Sequence, residues 1–156
     1  MGKLSVSTPL AKVSFKLDAS DWHGYATETL WAELVSSGRY RLRNTPFFAK
    51  DVSFEDVVVV KAQGDILMFD STSIAGGHST YRILLEKNIT DSAFLKLWNP
   101  LEDVGCSYES LDIGEMLLLA VDVPPCADIY VVYQFLEDGE KEKVWGFEEG
   151  HCGRQI

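Results

Sequence analysis

Cys106, His78 and Glu109 are the residues in this sequence that could supply a nucleophile, a base and an orienting acid. Brought together, they would make a cysteine-dependent transferase or hydrolase, provided that their neighbours lower the thiol pKa enough to expose a thiolate. Their places in the chain argue for a quieter role. Cys106 opens a strand directly after a helix ending, where a small buried thiol packs well. His78 follows the glycine pair Gly76-Gly77 and suits a turn residue hydrogen-bonded to backbone. Arg82 and Glu109 are expected on adjacent strands as a structural ion pair. The three cysteines, Cys106, Cys126 and Cys152, are odd in number and form no C-x-x-C pair, which is neither a disulfide framework nor a zinc site. No catalytic residue, metal or cofactor is therefore expected.

A second candidate chemistry is anion binding. Arg39-Tyr40-Arg41-Leu42-Arg43 alternates strictly, and a period of two puts the arginines on one face of a strand. The simpler expectation is a solvated outer face of a small sheet.

Charge is the most informative bulk property. The net value is −10, and it is lopsided: residues 1–76 hold 8 Lys/Arg against 9 Asp/Glu, whereas residues 77–156 hold 6 against 15. Between Leu97 and Glu140 there is no Lys or Arg at all, among acids that include Glu102, Asp103, Asp128, Glu137, Asp138 and Glu140. Such a surface repels a phosphate backbone and attracts a basic protein, so these six are the candidate partner-binding residues and direct nucleic-acid binding is not expected. No apolar run approaches the roughly 18 residues of a membrane span. The start, Met-Gly-Lys-Leu-Ser-Val-Ser, lacks a signal peptide's apolar core, and Val6 stands where myristoylation wants Ser or Thr. A cytoplasmic protein without membrane contact is expected.

The elements that must position these residues change character at Gly76-Gly77. Before it, Leu10 to Leu17, Thr27 to Val35, Arg39 to Arg43, Val57 to Val60 and Ile66 to Ile74 read as strands by alternation or β-branched content, separated by Ser36-Ser37-Gly38, Asn44-Thr45-Pro46 and Gln63-Gly64-Asp65. Residues 1–76 are thus expected to form a small bent β-sheet or five-stranded barrel, of the SH3 or OB kind. After it, Thr80 to Glu86 reads as a strand. Thr90 or Asp91 caps a helix carrying Phe94, Leu95, Leu97, Trp98 and Leu101, with a kink or restart expected at Asn99-Pro100 and an end at Gly105. Two strands follow, Cys106 to Ser110 and Glu115 to Val123. Pro124-Pro125 then opens a second helix ending at Gly139, and a tail from Glu140 folds back through Val144, Trp145 and Phe147. Residues 77–156 are expected to be a ferredoxin-like subdomain, which makes the whole chain α+β.

Four motifs carry a resemblance: Glu28-x-Leu-Trp-Ala32, Tyr40-x-Leu-x-Asn-x-Pro-Phe-Phe-Ala49, Gly77-His-Ser-Thr-x-Arg82 and Gly105-Cys-x-x-Glu109. In this order they resemble the bacterial family known as domain of unknown function 4265, over roughly Val13 to Glu149. The resemblance implies a bacterial origin and a two-part fold, and it brings no activity with it. The second half also resembles, by topology alone, the ferredoxin-like inhibitor of ribonuclease E, an acidic protein that acts by binding.

The functional expectation is a non-catalytic inhibitor or immunity-type protein whose acidic half covers a basic toxin or effector. The alternatives are a cysteine enzyme centred on Cys106 and a regulator whose Arg39, Arg41 and Arg43 hold a small anion.

Overall fold

The computed structural model describes residues 9–153. Met1 to Ser7, on which the leader and acylation readings fall, lie outside the described residues, as does the end of the tail from Arg154. The order of elements is β1 (Leu10–Lys16), β2 (Thr27–Ser36), β3 (Arg39–Leu42), β4 (Val57–Gln63), β5 (Ile66–Ile74), β6 (Ser79–Glu86), α1 (Asp91–Asp103), β7 (Ser107–Asp112), β8 (Met116–Val123), α2 (Ile129–Lys141) and β9 (Trp145–His151). The chain is α+β.

Strands β1 to β5 close into a barrel in sequential order, with antiparallel neighbours and a parallel seam in which Val13 and Ser14 of β1 meet Leu67 and Met68 of β5. Sequential order is a meander, not the Greek key of an OB barrel. Alternation explains the filling: Val13, Phe15, Leu30, Ala32, Leu42 and Val58 point inward, and Phe15 stacks on Phe69 with ring centroids 4.8 Å apart. Gly38 at φ 73° and Gly64 at φ 61° make the tight β2–β3 and β4–β5 turns, a conformation that a side chain would strain.

The second sheet has the order β7-β8-β6-β9, antiparallel throughout. One face carries Tyr81, Ile83, Leu85, Leu119 and Val121 against Phe94, Trp98 and Leu101 of α1 and Val132 and Leu136 of α2. The opposite face, with Thr80, Arg82, Ala120 and Asp122, meets the barrel. Burial on both sides explains why β6 is almost continuously buried.

Several local expectations are corrected. The tail does fold back through Val144, Trp145 and Phe147, but as a full strand, β9, paired with β6 from Leu85↔Trp145 to Thr80↔His151. Helix α1 is capped by Thr90, whose hydroxyl accepts from the Ala93 N–H, but it runs on through Pro100 without a restart. Pro100 forgoes its own amide bond and crowds the Lys96 carbonyl, a cost that the burial of Trp98 and Leu101 on either side offsets. Helix α2 starts four residues after Pro124-Pro125, on the Asp128 cap, and Gly139 lies inside it. A Cβ at Gly139 would run into the Trp145 indole, whose Nε1 donates to the Leu136 carbonyl at 2.9 Å. This glycine serves close approach, not termination. Gly76-Gly77 is likewise pinned: the Gly76 N–H donates to Asp56 at 2.8 Å, and a Cβ there would sit 2.9 Å from the Glu55 carbonyl oxygen.

Candidate functional site

Glu28, Arg82 and Glu109, each part of a sequence motif, converge where the sheet meets the barrel, around the segment 44–49. Glu28 shares the inward parity of Leu30 and Ala32 on β2, so its carboxylate enters the barrel wall instead of water. There it accepts from the backbone N–H groups of Phe47, Phe48 and Ala49 at 2.6, 3.0 and 2.8 Å. Three such charge-assisted bonds offset the desolvation of a carboxylate. Arg82, 2% exposed, crosses from β6 and donates to the Ala49 carbonyl at 2.5 Å. Burial pulls its pKa below the ordinary value, against which the charges of Glu28 and Glu148 act. Gly150 leaves room for the guanidinium, since a Cβ there would lie 2.5 Å from Nη1. Arg82 Nε has no partner among the described residues.

Glu109 takes the other end of the same segment. Its carboxylate accepts from the Thr45 N–H at 2.8 Å and from Asn44 Nδ2 at 3.3 Å, while Asn44 Oδ1 accepts from the Trp31 N–H at 2.8 Å. The expected Arg82–Glu109 ion pair is therefore absent among the described residues. The two do fall in one row of the sheet, but both face Ala120 of β8, which lies between β6 and β7. They act as parallel arms gripping the barrel.

Further along the interface, Ser53 Oγ lies 2.7 Å from Thr80 Oγ1 and 2.7 Å from His151 Nδ1. Ser53 and Thr80 are both 0% exposed, so this Ser–His contact offers no path for a substrate. His78 Nδ1 sits 2.8 Å from Asp122, and its ring meets Phe54 edge-on. Cys106 is 3% exposed, and burial, with the Asp122 charge second, pushes its thiol up to about 12. Such a thiol is protonated and poorly nucleophilic. Cys106, His78 and Glu109 occupy one end of the sheet but serve different contacts: Cys106 turns into the core beneath the helices, His78 meets Asp122 on the barrel side, and Glu109 is taken up by Asn44 and Thr45. Cys106→Ala is expected to lower stability by on the order of 1 kcal/mol, through a small packing loss, and to leave partner binding unchanged. Loss of activity in a normally folded variant, measured beside a urea melt, would restore the cysteine reading.

Asp122 supplies a pH signature. Burial raises its pKa from 3.8, with His78 opposing. The folded state thus holds a proton that the unfolded state has released, so stability should fall as pH rises from 3.8 through the raised folded value. Asp122→Asn keeps an acceptor for His78 and removes the buried charge. It is expected to flatten that limb and to match or exceed the wild type at pH 7. Urea melts between pH 3.5 and 7 measure it, and an unchanged slope would discard Asp122 as its source.

The arginine strand faces outward as alternation requires, but it is not a vacant anion site. Arg41 pairs with Glu33 at 2.8 Å and with Glu55 at 3.7 Å, Arg43 pairs with Glu55, and Arg39 donates to Ser73 Oγ at 3.3 Å. Among the described residues no group of His, Cys, Asp and Glu could hold a metal ion. No helix among the described residues is long and apolar enough to cross a membrane.

The six candidate partner-binding acids fall at two ends of the helix layer. α1 follows β6 and α2 follows the antiparallel β8, so the helices run in opposite directions. Glu102 and Asp103 at the end of α1 therefore neighbour Asp128 at the start of α2, while Glu137, Asp138 and Glu140 lie about 15 Å further along α2. Glu102, Asp103, Asp128 and Glu140 are exposed; Glu137 and Asp138 are half-buried, and Asp138 accepts from Gln134 at 3.0 Å. None of the six forms an ion pair among the described residues.

Sequence reasoning missed Ser53, His151 and Asp122 and gave Thr80 only a place in a strand, because their contacts cross between distant segments. It named Glu28 without a role, although a carboxylate sharing parity with Leu30 and Ala32 was a visible signal of a buried, satisfied acid.

No curated protein matches the chain. A solved structure described as a hypothetical protein from Neisseria gonorrhoeae is similar, with a TM-score of 0.75 at 20% identity, covering 94% of this chain and 98% of that one. At that identity the likeness speaks for the fold alone. The family described as Domain of unknown function (DUF4265) matches residues 28–147, the span that contains Glu28, the 44–49 segment, Arg82 and Glu109. The protein belongs to that family, and the motifs by which the sequence resembles it are those that join barrel to sheet.

Proposed function

We propose that the chain is a non-catalytic binding protein of the inhibitor or immunity type, acting in the cytoplasm, whose acidic second half covers a basic toxin or effector. One contrast carries this reading. Of the groups that could react, His78 and Glu109 are engaged inside the interface and Cys106 is buried against the helices, whereas the six acids of the helix layer carry no ion pair among the described residues. The two acidic ends are about 15 Å apart, which one partner footprint of about 800 Å² can span. The βαββαβ succession and the strand order β7-β8-β6-β9 favour a ferredoxin-like reading of the second half. They also keep the topological likeness to the ribonuclease E inhibitor open. In this proposal residues 1–76 and 77–156 are two subdomains, each with its own hydrophobic cluster.

The test uses the basic protein that co-purifies with the chain from its host. Charge complementarity should set the association rate more than the final affinity. The set Glu102→Lys, Asp103→Lys and the set Glu137→Lys, Asp138→Lys, Glu140→Lys are each expected to slow association about tenfold at low salt, with smaller differences at physiological salt. Rates indifferent to both salt and charge reversal would leave the acidic excess as a solubility feature.

A further inference from the structure

We propose that the groove between α2 and β9 receives a cationic side chain, arginine before lysine, presented by an extended segment of a protein partner. The proposal rests on the binding reading given above and assigns its point of contact.

The groove has a volume of about 460 Å³, and its lining includes Tyr81, Ile129, Tyr130, Tyr133, Glu137 and Glu149. Tyr130 and Tyr133 are 63% and 44% exposed, an unusual amount of aromatic surface to leave wet on one helix. Tyr133 is not loose: its ring meets Phe147 edge-on at 5.5 Å and Tyr81 at 6.3 Å. Glu137 is one helical turn beyond Tyr133 on the same face. Glu149 comes from the opposite wall, in register with Tyr81, whose hydroxyl donates to it at 3.3 Å. Two carboxylates thus flank an aromatic floor. Among the described residues no Lys or Arg lines the groove and neither carboxylate has an ion-pair partner.

Complementarity decides the occupant. A purely apolar ligand would strip water from Glu137 and Glu149 without replacing it, and an anion would be repelled. An arginine lays its stem along Ile129 and the ring faces, sets its plane over a tyrosine, and directs its donors to the carboxylates. Lysine offers the charge without the flat fork. The partner's backbone has a place as well, because β9 is the edge strand of its sheet and leaves one row of main-chain groups unpaired by any strand among the described residues. The Asp51 N–H takes only the Gly150 carbonyl at one end of that row.

The full chain can be titrated with the capped peptide Gly-Gly-Arg-Gly-Gly and with its lysine and citrulline counterparts, followed by amide shifts in two-dimensional NMR. Expected are saturable shifts at residues 129–137 and 147–149, weaker with lysine and absent with the isosteric, uncharged citrulline. Tyr133→Ala and Glu149→Gln, each checked by its spectrum for an intact fold, should weaken the arginine peptide about tenfold. Equal binding of citrulline, or shifts spread evenly over Glu102, Asp103 and Asp128, would overturn the assignment. Its failure is separable from that of the inhibitor reading. Peptide binding here without any basic protein partner supports the groove and removes the inhibitor. A basic partner whose Kd ignores both Tyr133→Ala and Glu149→Gln overturns the groove alone.

Discussion

Glu28→Ala is expected to lower the unfolding free energy by about 3–5 kcal/mol, the range for removing one member of a buried charged network. Three backbone N–H groups, those of Phe47, Phe48 and Ala49, lose their acceptor at once, and the nearby Arg82 guanidinium loses a compensating charge. Each orphaned donor costs about 1–3 kcal/mol, moderated by relaxation and by water entering the space of the missing side chain. Glu28→Gln keeps the shape but turns an NH2 toward amide donors, so it should recover only part of the loss. Urea unfolding with a common m-value is the measurement. A decrease below about 1 kcal/mol would mean that the segment is held by the packing of Thr45, Pro46 and Phe48 and not by the carboxylate.

The barrel was legible because its strands alternate cleanly and its turns carry glycine where φ is positive. The helices were legible from their spacing, and the start of the first from Thr90, a residue type that caps by accepting a backbone N–H; the Asp128 cap of the second was overlooked beside Pro124-Pro125. What the sequence hid was decided by partners far along the chain. β9 reads WGFEEGH, with two glycines and two glutamates in seven residues, a composition that weak strand propensity would reject. It forms because β6 offers a full ladder, and because Gly150 lets Arg82 pass. Gly139 looks like a helix stop until Trp145 is seen lying against it.

The site was half legible for the same reason. Parity on β2 carried a signal for a buried Glu28 that went unread, and the motifs marked Arg82 and Glu109, but which groups they meet depends on strand order. Placing β8 between β6 and β7 converts an apparent neighbour pair into two separate arms. Cys106, flagged for chemistry by its type alone, packs against the helices because its position after Gly105 faces the core. Residue types named the candidates; topology assigned them to adhesion.

Arg82→Met should be nearly as damaging as Glu28→Ala, at about 3–5 kcal/mol, because the methionine refills the stem's volume and leaves the charges of Glu28 and Glu148 without their buried cation. The Ala49 carbonyl also loses its donor from across the interface. If the two residues serve one joint, their effects cannot add. In a Glu28→Gln background the arginine has less to balance, so Arg82→Met should cost less there, with a coupling of about 1–3 kcal/mol in a double-mutant cycle. A second readout separates joint from local packing. Weakening the contact between a barrel and a sheet that have their own clusters should let them unfold apart, so hydrogen exchange in β1–β5 and in β6–β9 should cease to share one opening free energy. Additive losses with a single shared opening step would instead make Arg82 an ordinary buried residue of β6, and would place the joint at Glu109 and Asn44.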